Sequence, residues 1–137
     1  MSTRSNIAMV LKDGKSAKMV YCHSDGYPSW NGKILLENYD TDEKVAELIK
    51  GGNMSSLGPV LGEKHDFDNR PEGVTTYYKR DRNESDQEPQ RVKLKPGVGW
   101  ESILEQEYLY LWDGFKWQYS DHGAPMKRLT SAVCKKD

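Results

Sequence analysis

The sequence predicts an α+β fold: a single antiparallel sheet of about five strands, two main helices on one face and a short C-terminal helix. Three observations carry this. Two pairs of alternating apolar segments are each joined at an Asp-Gly dipeptide, Asp13-Gly14 and Asp113-Gly114. A capped amphipathic helix pattern lies between the two pairs. A chain of 137 residues with 36% hydrophobic content and 14 aromatic side chains suffices for one modest core, because aromatics bury much area each. Residues 1–137 are therefore expected to form one domain, with a flexible loop at about 83–91.

The elements follow in order. Residues 5–12 and 17–23 alternate around Asp13-Gly14-Lys15-Ser16, with Ile7, Met9 and Leu11 on one face of the first arm and Met19 with Tyr21 on one face of the second. After a loop at 24–31, residues 32–39 place Leu35, Leu36 and Tyr39 at helical spacing. Asp40 is the expected cap of a second helix to Lys50, which buries Val45, Leu48 and Ile49 and stops at Gly51-Gly52. Residues 53–73 are turn-rich, with a helical turn expected near Ser55–Leu57. Val74–Lys79 is β-branched and aromatic, hence a strand. Asn83–Gln90 has no apolar side chain and reads as exposed loop. Pro96–Gly99 is a turn and Trp100–Glu105 a helical turn. Tyr108–Trp112 and Phe115–Tyr119 make the second hairpin on a two-residue Asp113-Gly114 turn, and a helix over about 126–134 ends the chain.

Charge narrows the function classes. The formal net charge is −1; residues 1–73 carry 9 basic and 11 acidic side chains, residues 74–137 carry 11 and 10. Neither half is polarised, which argues against a nucleic-acid binder and against a DNA mimic. No run of about 18 apolar residues exists to span a membrane, and Met1–Asn6 lacks the apolar stretch of a secretory signal. Cys22 and Cys134 fit no metal-binding spacing and are expected as reduced thiols. No metal and no cofactor is expected, for there is no HxxxH, no phosphate-cradling glycine loop and no nucleophile motif.

The richest stretch is Tyr21-Cys22-His23-Ser24-Asp25-Gly26-Tyr27-Pro28-Ser29-Trp30. His23, Asp25 and Tyr27 alternate, so a continuing strand would project them to one side as an acid/base or phosphate-binding group. Asp25-Gly26 is equally a turn pair in which the carboxylate bonds the backbone. Arg80 and Arg82, at the end of a strand, suit bidentate phosphate contacts, with Tyr27, Trp30 or Trp112 stacking a base; Arg4 flanks the first hairpin and is placed to join them. The candidate ligand site is thus Arg4, His23, Asp25, Tyr27, Trp30, Arg80 and Arg82. Charged residues at an edge strand explain the two arginines as well. The stripe Tyr110, Trp112, Trp117 and Tyr119 is either core pairing or, where exposed, a partner surface.

Ser2-Thr3-Arg4-Ser5-Asn6-Ile7, Tyr21-Cys22-His23 with Asp25-Gly26-Tyr27-Pro28-Ser29, Leu35-Leu36 before Tyr39, and Tyr108-Leu109-Tyr110-Leu111-Trp112-Asp113-Gly114 resemble a set of small bacteriophage accessory proteins of unassigned function. The resemblance implies a phage product acting in the host bacterial cytoplasm in host takeover or anti-defence, and it brings no catalytic assignment. The expected function is binding and inhibition of a host protein. The alternatives are sequestration of a nucleotide signal in the candidate pocket, or a small hydrolase using His23 and Asp25. Self-association is left open.

Overall fold

Eight strands share one mixed sheet in the computed structural model, which describes residues 2–135; Met1, Lys136 and Asp137, and the domain limits expected there, lie outside the described residues. The strands are β1 (Ser5–Val10), β2 (Ser16–Cys22), β3 (Met54–Ser56), β4 (Thr76–Tyr77), β5 (Gln90–Lys93), β6 (Tyr108–Trp112), β7 (Trp117–Asp121) and β8 (Lys127–Arg128). Their order is β4-β3-β2-β1-β6-β7-β8, and β5 pairs with the outer edge of β2 at Ser16–Met19. The α+β class holds. The sheet is neither five-stranded nor wholly antiparallel: β1 runs parallel to β6 and β2 parallel to β3.

The parallel seam joins the two hairpins across about a hundred residues of sequence, a pairing that no local turn specifies. Asn6, nearly fully buried, registers it: its side-chain oxygen accepts from the Glu105 and Gln106 backbone N–H groups at 2.8 and 3.0 Å, just ahead of β6. The carbonyl of Arg4 accepts from Glu107 and Tyr108 beyond it.

Helical structure lies between β2 and β3, as the sequence implies. A π-helical turn, Pro28–Gly32, runs straight into α1 (Lys33–Asn38), so the segment begins at Pro28, not at residue 32; proline suits the first helical position. Helix α2 (Asp42–Lys50) buries Val45, Leu48 and Ile49. Its cap is Thr41, not Asp40: the Thr41 hydroxyl accepts from the Lys44 N–H at 3.2 Å. Both helices cover one sheet face, where Leu35, Tyr39, Val45, Leu48 and Ile49 pack on Ile7, Val20, Cys22, Tyr110, Trp112 and Trp117. The opposite face carries a smaller cluster of Ala8, Ala17, Met19, Leu109 and Leu111, covered by Ile103 of a 3-10 turn, Trp100–Ile103.

Four local expectations change. Residues near Ser55 form β3 rather than a helical turn, because the ladder with β4 claims them. The 74–79 strand shortens to β4 and turns into α3 (Tyr78–Arg82), since the Asp81 carboxylate folds back onto the Tyr77 N–H at 2.8 Å. The Asp113-Gly114 turn takes four residues, with Asp113 Oδ1 accepting from Phe115 and Lys116 N–H groups at 2.9 Å each, so β7 begins at Trp117. The C-terminal 126–134 segment divides into β8 and a shorter α4 (Ser131–Cys134) capped by Thr130. The 83–91 loop is anchored part-way: the Gln87 carbonyl accepts from the Asn53 N–H at 2.8 Å, and Gln90 and Arg91 already belong to β5.

Candidate functional site

The loop from Tyr21 to Trp30 leaves the end of β2 and is seated from beneath. The Gly26 N–H donates to the Thr3 carbonyl at 2.8 Å, and the Tyr110 hydroxyl donates to the Gly26 carbonyl at 2.6 Å. Asn31, fully buried in the π-helical turn, closes it from above: Nδ2 donates to the Ser24 carbonyl at 3.1 Å and reaches Ser5 Oγ and Cys22 Sγ, each at 3.4 Å. Its Oδ1 is buried without a hydrogen-bond partner among the described residues, an uncommon state for a buried polar atom. π-Helical turns often occur at functional positions. Nothing in the sequence marks Asn31, which falls at the end of the expected 24–31 loop.

Of the aromatic side chains expected as a partner surface, Tyr110 instead supports this loop. Tyr110, Trp112 and Trp117 are buried under the helices, which corrects that expectation. Each polar edge has a partner inside: Tyr110 at Gly26, Trp112 Nε1 at Asp42 Oδ1 (2.7 Å), and Trp117 Nε1 at the Tyr39 carbonyl (2.7 Å). Tyr119 packs on the same core, half-buried. Phe115, at the hairpin tip, is the exposed aromatic there, 90% open to solvent.

The seven residues expected to share a ligand pocket fall into separate places. His23 Nδ1 lies 2.6 Å from the Tyr21 hydroxyl, and the Arg4 guanidinium faces the same phenol. Burial raises Tyr21 above the ordinary phenol range, with the Arg4 charge opposing it. Asp25, held at a left-handed φ of 56°, accepts from the Tyr27 hydroxyl at 3.2 Å. His23 and Asp25 thus each serve a tyrosine rather than one another. Arg80 donates to the carbonyls of Leu61, Gly62 and Thr75 and pairs with Asp81 at 2.9 Å, so its guanidinium is consumed in tying the 61–75 loop down. Arg82 pairs with Glu84 and lies over the rings of Phe67 and Tyr78 at 4.3 and 5.1 Å.

Trp30 stands apart, 49% exposed, on the wall of a cleft of about 400 Å³ between α1 and the 59–73 loop. Ile34 and Pro59 complete its apolar wall, and Lys33, Glu37 and Glu72 rim it. None of the other six residues lines this cleft.

One further cluster has the outline of a hydrolytic triad: His65 Nε2 lies 3.0 Å from Thr76 Oγ1, and His65 Nδ1 lies 3.0 Å from the Glu63 carbonyl and 3.6 Å from Asp81. Thr76 is fully buried and unreachable by substrate. Burial pushes the Asp81 carboxyl up, but Arg80 and the Tyr77 and His65 N–H groups outweigh it and hold it below its usual range. The cluster is a clasp between the 61–66 loop and β4. Among the described residues no group of three His, Cys, Asp or Glu side chains gathers as a metal site, and no helix is long and apolar enough to cross a membrane. No protein family, curated protein or solved structure matches this sequence.

Proposed function

We propose that this chain is a non-enzymatic binding protein that captures a partner protein at the cleft beside Trp30. In keeping with the phage resemblance, the partner is a host bacterial protein in the cytoplasm and the outcome is its inhibition, in host takeover or anti-defence. The observation that carries the reading is the exposed Trp30 beside Ile34 and Pro59, with charged residues confined to the rim. An aromatic anchor with an apolar surround and a polar rim is the anatomy of a protein-binding hot spot. The loop that presents it is held by Asn31 and Tyr110 at the Ser24 and Gly26 carbonyls, so little ordering entropy is lost on binding.

Nucleotide sequestration has less support, because Arg80 and Arg82 are engaged within the fold and only Arg4 and His23 remain near one another. Hydrolysis by His23 and Asp25 has less still, since each bonds a tyrosine. A photo-crosslinking residue placed at position 30 or, as control, at position 115 tests the proposal in host lysate. The expected result is one discrete protein crosslinked from position 30 and lost when Ile34 is also changed to Asp. Equal labelling from both positions, or none from 30, refutes it.

A further inference from the structure

The near-neutral sequence folds into a charge-segregated molecule. Pairing of β5 with β2 sets Arg91 directly opposite Lys18 and Lys93 opposite Ser16, and the ladder continues with the Leu94 N–H on the Lys15 carbonyl at 2.7 Å. Lys15 and Lys18 of the first hairpin thereby lie beside Arg91, Lys93 and Lys95, and Lys12 stands at the far end of the same turn. Residues 12–18 and 91–95 hold a single carboxylate, Asp13, against these six. The chain's 20 basic and 21 acidic side chains, less these six and one, leave 14 against 20 elsewhere. Among the described residues only Arg91 of the six has an ion-pair partner, Asp13 at 3.7 Å.

Two concavities flank this edge. One, of about 440 Å³, is lined by Lys15, Lys93 and Lys95 with the Pro96–Val98 turn. The other, of about 400 Å³, lies between α2 and the sheet, with Lys18 and Lys50 facing across it. Lysines on an edge strand protect against strand-to-strand aggregation, and that explains β5 alone. It does not explain a cation placed directly opposite on β2, where like charges lower stability. The arrangement is favourable when an external anion supplies the missing charge.

We infer that the β5 edge is a second, independent binding face, and that its occupant is a nucleic-acid duplex held by its phosphates without sequence readout. Three features select this over an acidic protein surface. Protein interfaces are depleted of lysine and centre on apolar anchors, whereas five of these six cations are lysines and Val98 is the one exposed large apolar side chain at their border. Nucleic-acid faces are polar and strongly cationic. Arg91 and Lys93 alternate along β5 and Lys95 follows two residues on, so positive charge recurs about every 6.7 Å on this segment, as a row of phosphates requires. Aromatic side chains are absent from the six and from the lining of both concavities, so base stacking plays no part.

Fluorescence anisotropy with two labelled duplexes of unrelated sequence tests this on the full chain. Both should bind alike, and affinity should fall about 100-fold for a threefold rise in monovalent salt, the response for about five neutralised phosphates. Lys15→Gln, Lys93→Gln and Lys95→Gln should each weaken binding and reduce the log–log salt slope by about 1, whereas Trp30→Ala should leave both unchanged. If the Lys93 variant melts early, Lys15→Gln and Lys95→Gln, outside the strands, carry the same test. Absent or salt-insensitive binding at low salt overturns the inference. So does equal weakening by Arg82→Gln, which would move the face elsewhere, or equal affinity for polyglutamate, which would assign it to an acidic protein.

Discussion

Changing Gly26 to alanine isolates how the recognition loop is seated. A Cβ built there would lie 2.9 Å from the Arg4 carbonyl carbon, 2.9 Å from the Thr3 oxygen and 3.0 Å from the Arg4 oxygen. All three are backbone atoms, and none can swing aside as a side-chain terminus would. Gly26 is not among the positive-φ positions, so the cost is overpacking rather than dihedral strain. Overpacking of this kind costs about 1–3 kcal/mol, and the smaller unfolded-state entropy of alanine returns about 0.4–1 kcal/mol. The net loss is about 1–2 kcal/mol, or a fall in Tm of about 3–8 °C for a chain of this size. The shift also stretches the Gly26 bonds to Thr3 and Tyr110, so Trp30 fluorescence should change in the folded state. Calorimetry and denaturant titration with emission spectra read both effects. Gly14→Ala, where φ is +68° but no atom lies within 4 Å of the new Cβ, should cost stability without altering Trp30 emission. An unchanged or raised Tm for Gly26→Ala would refute the close seating on residues 3 and 4.

Tyr110→Phe removes the 2.6 Å bond to the Gly26 carbonyl and leaves that oxygen buried; urea titration should show a loss of about 1–3 kcal/mol at unchanged m. Burial pushes the Cys22 thiol up to about 12 from an ordinary 9.0, so it should resist a disulfide reagent at neutral pH until the chain unfolds; fast labelling of the native protein would contradict its burial. Because the folded value is raised, that contribution is complete below pH 9.0 and is lost as pH climbs from there toward 12, by about 1.4 kcal/mol per unit. Burial raises Tyr39 and Tyr77 in the same direction, so Cys22→Ala should soften the alkaline decline without abolishing it. Asp81→Asn should cost on the order of 2–3 kcal/mol by disrupting the Arg80 pair. The Asp81 carboxyl is held low when folded, so its stabilisation is present above the ordinary carboxylate range and lost as pH falls through the folded value; the variant should lack that acid-side loss.

Local chemistry made much of the fold legible in sequence. The first hairpin formed around Asp13, whose side chain accepts from the Lys15 and Ser16 N–H groups at 2.9 Å each, and α2 buried the three residues its spacing indicates. Where a single side chain redirects the backbone, local patterns misled: Asp81 converts the end of a β-branched stretch into α3. The candidate site was half legible. Composition marked the Tyr21–Trp30 loop, but alternation of His23, Asp25 and Tyr27 presumed a strand, and Asp25 at φ 56° with the π-helical turn beyond it breaks that alternation. Arg80 and Arg82 looked free because their partners, the 61–62 carbonyls and Glu84, are set by the path of loops rather than by spacing.

By itself the sequence determined the α+β class, the two Asp-Gly hairpins, the helix pair between them and the prominence of the Trp30 loop. Each of these rests on interactions within a few residues, where turn chemistry, caps and periodicity act. Tertiary structure alone decided the parallel β1–β6 seam, the burial of Tyr110, Trp112 and Trp117, and the gathering of Lys15, Lys18, Arg91, Lys93 and Lys95 at the β5 edge. Those depend on pairings between segments up to a hundred residues apart, and a net charge of −1 carries no information about where in space its 41 charged side chains come to lie.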